Sequence, residues 1–276
     1  MNKSSEKKTA DFNTLEETKE KKSGNINCAV VIPSLNPIPD LPVYVEKLID
    51  RGVPEVIIVN DGSKQDYDGI FREMEQMEHC TVLKHNYNRG KGRALKTAFS
   101  YFIRNFSDMD GVVTADADGQ HSVDDVIKIC NLLTERKDVL LLGVRNFKEN
   151  NVPKRSYIGN MLTSNIFHFL YGCWLNDTQT GLRGIPSGQL SEIIKLKGER
   201  YDFEINMLIY AKFINLGIST IPIDTLYFDN NSGSHYNTFK DSAYIFWRLI
   251  SGLIKYYLLP FIKKTFKAGI KQNLSE

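Results

Sequence analysis

Short runs of apolar and β-branched residues recur through the first half of this chain, and each stops abruptly at polar residues. They are Cys28-Ala29-Val30-Val31-Ile32, Val56-Ile57-Ile58-Val59, Thr81-Val82-Leu83, Val112-Val113-Thr114-Ala115 and Val139-Leu140-Leu141-Leu142. A strand with one wet face would alternate apolar and polar residues. These do not, so both of their faces must be covered. Between them lie charged segments with helical character at 40–50, 64–78, 91–106 and 122–136. Alternating strands and helices predict an α/β fold with a mostly parallel central sheet flanked by helices. Open sheets of this kind take ligands at the carboxyl ends of their strands. The polar residues that close each run are therefore the first place to look for chemistry.

The fourth run closes with Asp116-Ala117-Asp118-Gly119-Gln120-His121. If strand geometry persists through it, Asp116 and Asp118 point to the same side. Two carboxylates that close repel each other unless a cation lies between them. An all-oxygen pair suits a hard divalent ion, Mg²⁺ or Mn²⁺. Gln120 could add a neutral oxygen and His121 an imidazole.

The 276 residues, 42% of them hydrophobic, suffice for a full core in one large domain or two small ones. A formal charge of +2 makes no general case for nucleic acid as a partner. Cys28, Cys80, Cys130 and Cys173 are scattered without a C-x-x-C pair. That argues against a zinc ribbon or disulfide framework and fits a reducing compartment. Residues 1–25 are polar and charged, lack the apolar core of a secretory signal, and read as a disordered lead-in. No uncharged apolar stretch reaches the roughly 18 residues of a spanning helix. After Arg145 the pattern loosens. A long helix at 157–171, strand-like pieces at 181–185 and 219–223, and a helix at 203–215 between them extend the same sheet.

Nucleotide motifs of other kinds are absent. There is no G-x-x-x-x-G-K-[ST], and Gly90-x-Gly92 lacks a third glycine and does not follow the first strand. The loop after the first strand, Pro33-Ser34-Leu35-Asn36, lacks the glycines and arginines of a nucleotidyltransferase.

Taken together, Val31-Ile32-Pro33-Ser34-Leu35-Asn36, Val59-Asn60-Asp61-Gly62-Ser63, Asn88-Arg89-Gly90-Lys91-Gly92 and Asp116 to His121 resemble, in order and spacing, the inverting family-2 glycosyltransferases of the A-type (GT-A) fold. Asp177-Thr178-Gln179-Thr180-Gly181-Leu182-Arg183 resembles the D-x-x-S-G-F-R motif of the dolichyl- or polyprenyl-phosphate sugar transferase branch, with Thr180 and Leu182 as departures. The resemblance covers residues 26–240.

It implies roles position by position. Pro33 and Asn36 would line a nucleotide pocket, and Asp61 would accept hydrogen bonds from base or ribose. Gly90 and Gly92 would let the backbone approach the nucleotide, with Lys91 as counter-charge. Asp116, Asp118 and Gln120 match the family's metal- and donor-binding positions. Arg145, Lys154, Arg155 and Arg183 are the candidates for handling phosphate, with Arg183 the first choice. His235, in Ser232-Gly233-Ser234-His235-Tyr236, stands where the branch often has a Ser-Lys pair near the acceptor phosphate.

The activity so implied moves a hexose from a UDP- or GDP-sugar to a polyprenyl (undecaprenyl or dolichyl) phosphate. A second possibility is transfer to a hydroxyl of a saccharide or teichoic acid. That reaction needs a base, for which Asp177 is the first candidate and Asp202 and Glu204 follow. A non-catalytic nucleotide-sugar-binding module is the third. Residues 241–276, aromatic and apolar with Arg248, Lys255, Lys263, Lys264 and Lys267, read as an amphipathic helix on an anionic membrane surface. The expected location is cytoplasmic, peripheral on the inner face of the cell membrane.

Overall fold

A computed structural model describes residues 26–145, 154–224 and 238–258. The anticipated lead-in at 1–25, His235 and the basic tail beyond residue 258 lie outside them.

The chain forms a single 7-stranded sheet in the order β3-β2-β1-β4-β6-β5-β7. The strands are β1 Cys28–Ser34, β2 Val56–Asn60, β3 Cys80–Lys84, β4 Gly111–Thr114, β5 Val139–Arg145, β6 Arg183–Pro186 and β7 Gly217–Ile223. All pairings are parallel except those of β6, which runs antiparallel to β4 and β5. Every residue of β2 and β4 is buried. That is what covering both faces requires, and it is why the apolar runs are unbroken.

The helices are α1 Leu41–Asp50, α2 Asp68–Met74, α3 Lys91–Asn105, α4 Val123–Glu135, α5 Lys154–Tyr171, α6 Ser187–Ile193, α7 Asp202–Phe213 and α8 Thr238–Leu253. A core on one face of the sheet joins Phe99, Phe102, Phe167, Phe203 and Leu249. Another on the opposite face joins Leu41, Leu48, Phe71, Val126 and Leu133. The helix anticipated at 64–78 is shorter: a 3₁₀ turn at Gln65–Tyr67 precedes α2, which ends at Met74. Helix α4 is capped by Ser122. The Ser122 hydroxyl accepts from the Asp125 amide at 3.1 Å and donates to that residue's carboxylate at 2.7 Å.

The topology fixes where a ligand goes. The chain lays down β1, β2 and β3 in one direction and then returns past β1 to start β4. Strands β1 and β4 are neighbours whose following loops diverge, which opens a crevice at their carboxyl ends.

Candidate active site

The crevice is a cleft with walls from five parts of the chain. Pro33 to Ile38 form the end of β1 and the loop after it, and Asp61 follows β2. Asn88, Gly90 and Lys91 lead into α3, and Asp116, Ala117 and Asp118 follow β4. Arg200 and Tyr201, just before α7, close the far side.

The loops are tied to one another before any ligand arrives. Asn36, at φ 50°, donates its amide to the Ser63 hydroxyl at 2.9 Å and accepts from the Lys64 amide at 3.0 Å. Asparagine is among the few non-glycine residues that tolerate this left-handed backbone. Asp61 is buried and accepts from the amides of Arg89 at 2.9 Å and Gly90 at 2.8 Å. His85 Nδ1 lies 2.6 Å from the same carboxylate, and its Nε2 lies 2.9 Å from the Thr97 hydroxyl. Asp61 thus shapes the Asn88–Gly90 loop while still lining the cleft. Gly90 sits at φ 98° against the carbonyl of Glu199, so a side chain there would meet both strain and backbone.

Strand β4 stops at Thr114, two residues before Asp116, so the extended geometry assumed for the acidic pair does not persist. Asp116 turns toward Gly181, whose missing side chain leaves room for the carboxylate. The Thr114 hydroxyl donates to the Gly181 carbonyl at 2.6 Å and fixes this approach. Asp118 lies on the turn beyond, with Oδ1 accepting from the Gln120 amide at 3.1 Å.

Their charges are treated unequally. Lys91 Nζ lies 2.6 Å from Asp116 and 3.0 Å from Glu204. The second contact is an ion pair without hydrogen-bond alignment, since the buried Glu204 Oε1 accepts no hydrogen bond. Burial works against the Asp116 charge, but Lys91, followed by His121, outweighs it and holds that carboxyl below the usual range. Burial likewise opposes the Lys91 charge, yet Asp116 and Glu204 raise the ammonium pKa. Asp118 is pushed up to about 6, first by burial and then by Asp116 beside it. His121 is buried and pushed down to about 4 by that burial, so it is neutral at pH 7.

This corner suits a divalent ion. It offers two carboxylates, one of them inadequately compensated. Among the described residues no group of three or more His, Cys, Asp or Glu is placed to hold a metal. Remaining ligands would therefore come from water and a substrate's phosphates, the usual habit of Mg²⁺.

Two expected residues are not where their roles need them. Arg183, first choice for phosphate, is fully buried and does not line the cleft. Its guanidinium donates to the carbonyls of Glu204 at 2.6 Å, Thr180 at 2.9 Å and Thr178 at 3.3 Å. It braces the 178–183 turn against α7 and is removed from the phosphate candidates. Asp177, the anticipated base, is also fully buried. It is matched by Arg145, with Nε to Oδ2 at 2.6 Å and Nη2 to Oδ1 at 3.0 Å. Both oxygens of that carboxylate are thus taken up away from the cleft, and Arg145 is held against it. Arg155 is in the first turn of α5, but its side chain lies outside the described residues.

The sequence reading missed Arg200 as a cleft residue. A loop anchored from afar puts it there: Arg93 forms a two-pronged pair with Glu199, and Lys96 reaches the same carboxylate at 3.2 Å. The pairing joins positions more than a hundred residues apart, and no local spacing announces it.

The profile of Glycosyl transferase family 2 matches residues 29–194. The chain belongs to glycosyl transferase family 2. This family-2 chain is 30% identical over 238 residues to the UDP-N-acetylglucosamine–dolichyl-phosphate N-acetylglucosaminyltransferase of Methanococcus voltae, covering 80% of the chain and 94% of the relative. It is 29% identical over 223 residues to the human dolichyl-phosphate beta-glucosyltransferase, covering 71% of the chain and 66% of that protein. Among solved structures, its fold resembles glucosyl-3-phosphoglycerate synthase from Mycobacterium tuberculosis in complex with Mn²⁺, UDP-glucose and phosphoglyceric acid. The TM-score is 0.62 at 19% identity, with 86% of each chain covered. The family-2 assignment agrees with the α/β architecture and with the branch suggested by the Asp177–Arg183 motif.

Proposed function

We propose that this glycosyltransferase moves a hexose from a UDP- or GDP-sugar to a polyprenyl phosphate, inverting the anomeric carbon, with Mg²⁺ or Mn²⁺ at Asp116 and Asp118. The observation that carries the reading is the acidic corner at the carboxyl end of β4. It lies in the crevice where such sheets bind ligands, and Asp118 still lacks an adequate counter-charge. The names of the dolichyl-phosphate relatives support the acceptor.

In this reading Pro33, Asn36 and Asp61 form the nucleotide end of the cleft. Gly90 lets the backbone come close, and Lys91 holds Asp116 in place. Asp116 and Asp118 would hold the ion, which would supply charge stabilisation to the diphosphate leaving group. An acceptor phosphate is anionic near neutral pH, so attack needs positioning more than a base. Arg145, Arg155 and His235 remain the candidates to position that phosphate. The membrane side of residues 241–276 and a station on the inner face of the cell membrane belong to the same proposal. Among the described residues no helix is long and apolar enough to cross a membrane.

One observation favours a second reading, transfer to a saccharide or teichoic-acid hydroxyl. Glu204 carries a buried oxygen with no hydrogen bond, 3.0 Å from the Lys91 of the cleft wall, and is the base candidate for that reaction, although like Asp177 it is buried and ion-paired. Two measurements separate the readings. A thermal-shift screen of nucleotide sugars with Mn²⁺ identifies the donor, because a true ligand stabilises the folded chain by mass action. Polyprenyl phosphate and a sugar hydroxyl acceptor are then offered side by side. Near-normal turnover by Asp118→Ala with divalent ion present sinks both readings.

A further inference from the structure

The first half of helix α5 is built inside out. Its buried side carries Asn160, Thr163 and Ser164 before Phe167 and Tyr171 enter the core, whereas Ile158 is 57% exposed, Met161 42%, Leu162 59% and, further along the same face, Phe169 87%. Positions i, i+3, i+4 and i+11 share one face of a helix. A helix bordering water normally does the reverse.

The polar side has a known occupation. Asn160 donates to the Asn176 carbonyl at 2.6 Å and accepts from the Thr178 amide at 3.0 Å. It thereby holds the turn whose Gly181 receives Asp116. With its polar side committed to the site, α5 turns its apolar side outward. Helix α8 packs against it, locked where the Tyr171 hydroxyl donates to the Leu249 carbonyl at 2.6 Å. Tyr244, Trp247 and Ile254 are exposed there at 52%, 62% and 41%.

Charge selects the occupant. The 18 residues of α5 include no Asp or Glu and begin with Lys154-Arg155. The sequence following α8 carries Lys263, Lys264 and Lys267. Apolar and aromatic helices preceded or followed in sequence by such cations suit lipid headgroups of negative charge. We propose that the outward face of α5, together with that of α8, docks on an anionic bilayer surface. The inference deepens the acceptor reading above and rests on it for its purpose: a lipid-linked phosphate would arrive beside the helix that grips the catalytic turn. Sequence alone assigned membrane contact to residues 241–276 and gave α5 no such task.

The test uses the full chain and vesicles of phosphatidylcholine with or without phosphatidylglycerol. The expected result is co-sedimentation that needs the anionic lipid. Leu162→Glu and Phe169→Glu, both on the exposed face and each checked by thermal melting, should each lower partitioning on the order of tenfold. Equal partitioning of wild type and variants overturns the proposal. So does failure of the wild type to sediment. A wild-type dimer that both variants convert to monomer without lipid also overturns it, by making this face an interface between copies. On a short prenyl phosphate soluble in water, the variants should keep wild-type turnover while slowing on the long-chain acceptor in vesicles. A wild type that docks on vesicles but uses neither acceptor refutes the acceptor reading and leaves the docking face standing.

Discussion

Asp118→Asn should make the ligand-free protein more stable while removing its response to metal and nucleotide. Asp118 is held at about 6 rather than the usual 3.8, chiefly by burial and then by Asp116. A displacement of that size corresponds to about 3 kcal/mol of penalty on the charged form at neutral pH. Relaxation and solvent around this partly exposed turn reduce what is recoverable to about 1–2 kcal/mol. For a chain of this size, that is a rise in Tm of roughly 2–8 °C.

The sign follows from proton binding. A carboxyl whose folded pKa lies above its unfolded value binds more protons when folded. Its penalty is therefore full above about 6 and fades as pH falls toward 4. The advantage of Asp118→Asn should be greatest at pH 7.5 and nearly gone at pH 4. Differential scanning fluorimetry at both pH values, with and without Mn²⁺ and the donor nucleotide, reads both halves of the prediction. A ligand-free variant that melts below wild type at pH 7.5 refutes the electrostatic argument. An undiminished ligand-induced shift refutes the metal role.

Three further substitutions probe the surroundings of that corner. Arg183→Met should remove a donor from three carbonyls and leave a void behind α7, destabilising the fold by about 3 kcal/mol in urea titration; unchanged stability with a raised acceptor KM would restore the phosphate role withdrawn above. Gly181→Ala would push a methyl group into the Asp116 carboxylate, so kcat/KM should fall at least about tenfold with the far-UV circular dichroism unchanged. Asn160→Ala removes the clamp on the Asn176–Thr178 turn and should cost about 1–3 kcal/mol of stability, visible in the same titration.

The fold was legible because its strands announce themselves. Residues 28–32 and 56–59 are apolar throughout and 112–115 apolar but for Thr114, and only a sheet covered on both faces accommodates that. The acidic corner was legible for the same reason: a run so apolar has to end, and Asp116 marks where. What stayed hidden depends on contacts distant in sequence. Arg183 and Asp177 carry the charges expected at a phosphate or proton-transfer site, and a motif cannot tell a charge facing a ligand from one bracing the wall behind it. The difference appears only when Arg183 is seen to meet three backbone carbonyls, and Asp177 to meet Arg145. The outward apolar face of α5 was missed because its apolar residues suggest an ordinary core helix, until Asn160, Thr163 and Ser164 prove to be buried while Ile158, Leu162 and Phe169 are exposed.

The balance of charge explains why one carboxylate is compensated and its neighbour is not. Lys91 sits between Asp116 and Glu204, which joins the ends of α3, β4 and α7 without any ligand. Were Asp118 also satisfied from within, an entering cation would have to displace an internal partner and would bind more weakly for it. Leaving Asp118 inadequately compensated places the repulsion where the proposed metal–nucleotide complex would relieve it. Affinity for that complex would then draw on repulsion already present in the ligand-free cleft. The same economy bears on α5: its polar residues are spent holding the turn against Asp116, so its apolar ones face outward. Geometry at the carboxylate and exposure at the surface are thus two sides of one helix, and a change to Asn160 should be felt on both.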